Sequence, residues 1–424
     1  MKLVLAPFAL VVSLAAPAFA SVLTVGPSGQ MFTTPQAAVS AAVDGDVILI
    51  RSGAYFSFTI DGKALTIVGT PSMTIRPPLR VRNVAASQTV TISAVNFTAI
   101  AADPAQPGIA IENCAGRVRV QDCSIPSIDT EPAARVVDSA QVSFARCALL
   151  GASGFYNDFD PVGPGAGIEV VNSAVALYAT SVRGGDGVTG TYGQLGTIQR
   201  PASDAADGCI AGVNAQVFVS GSDLRGGRGG HGAGASCNPI PFAGGDSGDG
   251  GDALAVDATA HVDVLDVVLT AGIAGSPGAG QGSCAPAGNS GLPGATIAGA
   301  TANVSTWNGL HRGMRGSTTV RELQSATFTF TGTPGDTVLL VWSAQPRHEL
   351  YAPFLGVITY GTQVRRIPMG VIPGSGTLTS TLPIPDLGAG VEAQKRCLQA
   401  VFRDASNQVT LSDPLTLVLL DAAF

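Results

Sequence analysis

One pattern of apolar residues returns six times along this chain of 424 residues and constrains its fold more than any other feature. Each copy is apolar at its first, third and eighth positions, as in Val90, Ile92 and Phe97. Alternating apolar residues indicate strands with one buried face. The later copies begin at Val118, Val142, Val175, Val217 and Val262.

A second apolar pair precedes each copy from Val118 onward, and an Asx residue separates the pair from the copy. Short polar side chains that bond their own backbone favour a turn at this position. Three short strands per repeat with turns between them are typical of a parallel β-solenoid, which we interpret as a β-helix. The pairs are Ile109/Ile111, Val136/Val137, Ile168/Val170, Ile210/Val213 and Leu254/Val256, and the Asx residues are Asn113, Asp138, Asn172, Asn214 and Asp257.

The composition agrees with stacked coils. Charged residues make up 12% of the chain, about half the usual share, and there are 54 glycines. Inward columns take apolar residues, and coil corners need residues that tolerate unusual backbone angles. The net charge of −7 argues against nucleic acid or an anionic membrane as a partner.

The first twenty residues have the pattern of a secretory signal peptide. Lys2 is followed by an apolar stretch, and Ala18-Phe19-Ala20 matches an A-x-A cleavage site. We therefore expect a secreted or cell-surface protein, extracellular or periplasmic, that begins near Ser21. No later apolar run approaches the roughly 20 residues that a membrane-spanning helix needs, so no transmembrane segment is expected in the mature chain.

Export permits disulfides among the seven cysteines. Cys123 and Cys147 occupy the same position of successive copies. Adjacent parallel strands lie about 4.8 Å apart, within the Cα range of a disulfide, so a Cys123–Cys147 bond is predicted. The odd count leaves a free thiol, for which Cys397 is the candidate.

The segment Gln36–Gly69 combines a helix-like stretch, an Asp-Gly-Asp turn at Asp44–Asp46 and the apolar run Val47–Ile50. It resembles the N-terminal cap and first coil of the pectin lyase-like right-handed parallel β-helix superfamily. The resemblance implies an all-β fold over residues 21–312 with a helical cap at its open end. It implies little about function, because the superfamily contains lyases, hydrolases, epimerases and adhesins.

Four long glycine-rich connections, 150–167, 183–209, 225–253 and 270–296, follow the third strand of successive coils. Equivalent positions of a solenoid stack, so these connections should form one contiguous surface, called here the loop wall. By resemblance, β-helix polysaccharide lyases build their substrate cleft on that side. The repeated Gly-Gly-x-Gly sequence also permits extended glycine-rich segments that lie against one another.

Two sets of residues on the loop wall are candidates for function. Asp246, Asp249 and Asp252 form the densest carboxylate cluster and are predicted ligands for Ca²⁺, the one cofactor considered. The alternative is that they solvate and turn the loop. Tyr156, Asp158, Asp160, Arg225 and Arg228 are predicted to contact a ligand such as an extracellular polysaccharide or a cell-surface component.

From Thr319 the strand and turn pattern changes to that of a small β-sandwich, so residues 313–424 are predicted as a second domain. The sequence assigns no catalytic residue. The loop wall has few aromatic residues to stack on sugars, which argues against a polysaccharide-cleaving enzyme. We therefore expect a structural, adhesive or carbohydrate-binding role at or outside the cell surface. The alternative is a polysaccharide lyase or glycoside hydrolase that acts through the loop wall.

Overall fold

The computed structural model describes residues 20–98, 106–127, 130–157, 160–192, 199–237 and 241–424. Its N-terminal part is a right-handed parallel β-helix of three sheets, one strand of each sheet per full coil. Sheet 1 contains Phe58–Asp61, Leu79–Arg82, Ile109–Glu112, Ala134–Val137, Ile168–Val171, Cys209–Ala211, Leu254–Val256 and Ile297–Gly299. Sheet 2 contains Val22–Val25, Val47–Ile50, Thr66–Gly69, Thr89–Ser93, Arg117–Gln121, Gln141–Ala145, Ala174–Tyr178, Gln216–Ser220, His261–Leu265 and Val304–Trp307. Sheet 3 contains Gly53–Tyr55, Met73–Ile75, Asn96–Phe97, Ser124–Pro126, Ala148–Leu150, Ser181–Arg183, Asp223–Arg225 and Val268–Thr270.

The predicted register of the copies is confirmed. Val118 pairs with Val90 on one side and with Val142 on the other. The column continues through Val175, Val217 and Val262. These valines are 0–3% exposed, so the alternating pattern describes the inner face of sheet 2.

Two predicted apolar pairs differ from the inward residues of the structure. In the pair Val136/Val137, Val136 is inward, but the second inward residue is the fully buried Ala134, and Val137 is only half-buried. The pair Ile210/Val213 was expected to face the core, but Cys209 and Ala211 pair with Ile168 and Val170 and are fully buried. Val213 is 50% exposed. Cysteine and alanine fit the crowded interior but do not stand out as an apolar pair.

The Asx residues occupy the first corner of the coil. Asn113, Asp138, Asn172 and Asn214 have φ angles of 48–54°, in the left-handed region that short polar side chains tolerate. A second left-handed column, between sheets 2 and 3, was not predicted. It is occupied by Ala94, Asp122, Arg146, Ala179, Gly221 and Asp266.

A short helix, Pro35–Ala41, covers the open end of the coils. The Thr34 hydroxyl accepts a hydrogen bond from the N–H of Ala37 and caps the first turn. Ala38 and Val39 are buried against the core of the β-helix. The predicted cap is therefore present.

The C-terminal part is built from strands that are mostly antiparallel. A three-stranded and a six-stranded sheet face each other across a shared core that includes Phe328, Leu340 and Phe402. This is the sandwich-like arrangement expected from the sequence. The strands are Gly313–Gly316, Ser325–Thr331 and Thr377–Pro383 in one sheet, Thr319–Arg321, Thr337–Ser343, Val364–Val371, Ala393–Arg403, Val409–Leu411 and Leu415–Leu420 in the other, and the hairpin Pro346–Tyr351 with Gly356–Tyr360.

This C-terminal sandwich lies along the outer face of sheet 2. Near the N-terminal coils, Leu49 and Val68 pack with Val418 and Leu420. Farther along, the Tyr178 hydroxyl accepts a hydrogen bond from the N–H of Val357 at 2.8 Å. One face of the β-helix is therefore covered by the chain's own C-terminal part.

The predicted signal peptide, residues 1–20, falls almost wholly outside the described residues. Among the residues that are described, no helix has the length and apolar character needed to span a membrane.

Candidate functional site

The four long connections each leave sheet 3, run outward as one extended segment and come back to sheet 1 as another. The outgoing segments, 151–154, 184–190, 226–235 and 271–279, stack in one layer. The returning segments, 162–166, 201–207, 244–252 and 286–295, stack in a second layer. We call the two layers together the glycine bundle.

Main-chain hydrogen bonds hold neighbouring segments of a layer together. Gly229, Gly232 and Ala235 of the third outgoing segment donate to carbonyls of the fourth at 2.7–2.9 Å. The donors recur every third residue, whereas donors on a β-strand alternate every second residue. A three-residue period is that of an extended polyproline II helix.

Other main-chain hydrogen bonds join the two layers with the same period. Gly245, Gly248 and Gly251 of the third returning segment donate to the third outgoing segment at 2.7–3.0 Å. The fourth outgoing segment bonds to this returning segment in the same way. The loop wall is thus a self-bonded backbone structure.

The close spacing of segments excludes a side chain at many positions of the three-residue period. A Cβ atom on Gly230 would lie 1.8 Å from the carbonyl oxygen of Val188, and one on Gly275 would lie 1.9 Å from that of Gly230. Gly234, on the same outgoing segment as Gly230, would meet no heavy atom within 4 Å. The glycines of the interior are therefore packing residues.

The three aspartates predicted to bind calcium line the outer face of the returning layer. Oδ1 of Asp246, Asp249 and Asp252 each accepts a main-chain N–H of the next returning segment at 2.6 Å. Asp204 and Asp207 do the same one segment earlier. Burial raises the pKa of Asp207, and the N–H of Asp252 opposes that rise.

This arrangement gives each carboxylate a role in the stacking of the bundle. In the part of the chain that the structure describes, no group of three or more His, Cys, Asp or Glu side chains is placed to hold a metal ion. Calcium binding by Asp246, Asp249 and Asp252 stays a prediction.

The predicted ligand-binding arginines lie on the opposite side of the glycine bundle, on the exposed surface of the outgoing layer, called here the outgoing face. Arg225 pairs with Asp223 at 2.6 Å, and this carboxylate raises the pKa of Arg225. The N–H of Arg228 donates to Asp186, which also pairs with Arg183 at 2.7 Å. This face therefore carries arginines and aspartates, while the returning face carries aspartates.

Two further predicted ligand residues, Tyr156 and Asp160, lie in a small hairpin, Phe155–Asn157 with Asp160–Val162, at the end of the first outgoing segment. The Tyr156 hydroxyl lies 3.0 Å from the carbonyl oxygen of Thr189 and 2.7 Å from that of Pro201. Asp160 is exposed. Asp158 lies outside the described residues.

The predicted Cys123–Cys147 disulfide is wrong, because the structure has both residues as buried free thiols. They do occupy equivalent positions in adjacent coils. Side chains stacked in register point in the same direction at the strand spacing of about 4.8 Å, whereas the Cβ atoms of a disulfide lie about 3.8 Å apart. Burial raises the pKa of the Cys123 thiol well above its usual range.

The disulfide instead joins Cys237 and Cys284, whose Cα atoms are 6.1 Å apart. It connects the outer ends of the third and fourth loops of the glycine bundle. Cys397 is free and buried, as predicted.

A serine, a histidine and an aspartate also meet under the C-terminal sandwich. Ser220 Oγ lies 2.9 Å from His311 Nδ1, and His311 Nε2 lies 3.0 Å from Asp413 Oδ1. Ser220 is 0% exposed and Asp413 is 1% exposed, so a substrate cannot reach this serine in the structure. Asp413 also lies 3.7 Å from Arg146. The group connects the β-helix to the sandwich.

Sequence reasoning missed the three-residue period of the bundle and the contact of the sandwich with sheet 2. The first signal is present in the sequence, because glycine recurs at 245, 248 and 251 and at 272, 275 and 278. The second signal is weaker. Strand Ala174–Tyr178 is apolar on both faces, as a strand covered on both sides requires.

Comparison with models of known protein families finds no match for this chain. Comparison with curated proteins likewise finds no relative of significant sequence similarity.

Proposed function

We propose that this protein is an exported member of the pectin lyase-like β-helix superfamily with a structural or adhesive role at or outside the cell surface. The observation that carries the proposal is the glycine bundle. Its segments use their own main-chain groups to bond one another, so the loop wall is a rigid surface rather than a set of loops that can close over a substrate. The signal-like residues 1–20 and the Cys237–Cys284 disulfide support export.

The two outer faces of the bundle are the surfaces through which it would adhere. Along a segment, side chains three residues apart point the same way and lie about 9 Å apart. Neighbouring segments carry parallel rows of such side chains, which gives a regular array suited to a repetitive partner. Arg183, Arg225 and Arg228 give the outgoing face cationic groups toward an acidic polysaccharide or cell-surface polymer.

The test is binding of the purified protein to immobilised pectate and alginate, with a neutral glucan for comparison. We expect retention on the acidic polymers that weakens when Arg225 and Arg228 are both replaced by Gln. The matched control is Asp246→Asn on the other face, which should bind like wild type. Equal retention of all three proteins on every polymer would contradict the adhesive role of the outgoing face.

The same polymers decide between adhesion and catalysis. A lyase would generate unsaturated uronates, which are followed by ultraviolet absorbance, and a hydrolase would generate reducing ends. We expect neither signal. Turnover of pectate or alginate would replace the structural proposal with the enzymatic one.

A further inference from the structure

Three cationic side chains lie where the C-terminal sandwich covers sheet 2, with Arg119 close enough to the other two for its charge to act on them. Arg117 and Arg119 point outward from strand Arg117–Gln121, and Lys395 lies on strand Ala393–Arg403. The two strands are connected through Gln121, which bonds the main chain of Thr416, the residue paired with Cys397. Lys395 is two residues from Cys397 and so shares its face of the strand.

The guanidinium of Arg119 is only partly satisfied by the protein. The residue is 5% exposed, and its Nη2 donates to the carbonyls of Arg347 and Thr359. Its Nη1 is buried without a hydrogen-bond partner, as is Nε of Arg117. In the part of the chain that the structure describes, neither arginine nor Lys395 takes part in an ion pair.

Three hydroxyl groups accompany these cations. Thr91 pairs with both Arg119 and Thr66, and Thr89 pairs with Arg117, so the five residues are neighbours on sheet 2. Oγ1 of Thr66, Thr89 and Thr91 is buried and has no hydrogen-bond partner. A hydroxyl can rotate to donate its hydrogen to an acceptor placed between them.

The electrostatics of this patch favour an anion. Burial lowers the pKa of Lys395, and the charge of Arg119 lowers it further. Burial likewise lowers the pKa of Arg117, again with a contribution from Arg119. Arg119 is buried, and Arg117 and Lys395 are half-buried. Cations shielded from water without a counter-charge and buried hydroxyls without a partner are both costly. An oxyanion would satisfy both, because it accepts several hydrogen bonds and carries the opposite charge.

We propose that Arg117, Arg119 and Lys395, with the hydroxyls of Thr66, Thr89 and Thr91, form a binding site for a small oxyanion of the sulfate or phosphate class. The site lies between the β-helix and the sandwich, away from the glycine bundle, and does not depend on the proposed function. An anion bound there contacts both parts of the chain and holds the sandwich against sheet 2.

The test is calorimetric titration of the full mature protein with sodium sulfate and with sodium phosphate in chloride buffer of constant ionic strength. We expect saturable binding of at least one of the two ions. Lys395→Met should weaken it about tenfold or more, since a hydrogen bond to a charged group is worth at least that factor. Arg117→Gln, on the other strand, should weaken it similarly and serves if Lys395→Met does not fold.

The matched control is Arg396→Gln. Arg396 follows Lys395 on the same strand but bonds Gln394 and the carbonyl of Lys395, so it points away from the site. This variant should bind the ion like wild type. Absence of binding to wild type, or equal binding to wild type and both site variants, would overturn the proposal. The second result would mean that the ions act only through the general salt effect on protein surfaces.

Discussion

At the scale of single residues, the interior positions of the glycine bundle have no space for a side chain, whereas its surface positions do. Gly230 and Gly234 lie on the same outgoing segment, yet only Gly230 faces a neighbouring carbonyl at a distance that excludes a methyl group. Composition alone does not separate them. The pair therefore makes a controlled test of the bundle.

Gly230→Ala should destabilise the protein by about 1–3 kcal/mol, because the added methyl group overpacks the contact with Val188. Gly234→Ala should change the free energy of unfolding by no more than about 0.5 kcal/mol, since it is exposed and has space. Denaturant unfolding of the two variants measures both effects. Equal stability of the two would argue against the close packing described here.

His348 should make the protein sensitive to acid. Burial, together with the charges of Arg119 and Arg117, lowers its pKa from an ordinary 6.5 to about 3. The unfolded chain binds a proton between these values and the folded chain does not, so stability falls as pH drops below about 6.5. His348→Gln should remove about 1–2 kcal/mol of the loss between pH 6.5 and pH 5. The measurement is the free energy of unfolding of both proteins as a function of pH. If it falls equally in variant and wild type below pH 6.5, His348 does not cause the acid sensitivity.

At the scale of elements, the strands of the β-helix were the most predictable part. Alternating apolar residues identify the inward side chains of each strand. Because equivalent residues of successive coils pair in register, the same positions are inward in every coil. The disulfide was mispredicted because equivalence in the repeat sets the spacing of Cys123 and Cys147 but not the orientation that a disulfide needs. Cys209 and Ala211 were missed because small residues give a weak apolar signal.

The assignment of inward residues in sheet 2 is tested by placing a charged side chain at one inward position. Val217→Asp buries a carboxylate between coils and should cost several kcal/mol, as should Val142→Asp. Gln216→Asp, one residue earlier on the same strand and exposed, is the control and should melt near wild type. Thermal unfolding of the purified variants makes the comparison. A Val217→Asp protein as stable as the control would contradict the proposed inner face.

The returning segments decide the question of calcium. Replacing Asp246, Asp249 and Asp252 together by Asn keeps a side-chain oxygen to accept each N–H and removes the charge. We expect calcium to leave the melting temperature of each protein unchanged. Wild type should melt at the same temperature in about 1 mM calcium as in chelator, and so should the variant. A calcium-dependent rise in wild type that disappears in the variant would establish the cation site instead.

At the scale of the whole molecule, the position of the sandwich on sheet 2 could not be predicted from sequence. It depends on contacts between residues far apart in the chain, such as Gln121 with Thr416 and Ser220 with His311. None of these residues belongs to a local pattern. The stacking of the glycine-rich loops on one side of the β-helix was predictable from the repeat, but the two layers became apparent only from the three-residue period of their hydrogen bonds. Whether ligands bind to this stack stays a prediction.

The central claim is that the loop wall is a hydrogen-bonded bundle, and amide hydrogen exchange tests it most directly. The N–H groups of Gly227, Gly230, Gly248 and Gly251 donate to carbonyls of neighbouring segments. We predict that amides of the segments 226–235 and 244–252 exchange as slowly as those of the β-helix coils, with free energies of opening near that of global unfolding. Exchange of these amides at the rate of an unstructured chain would contradict the account.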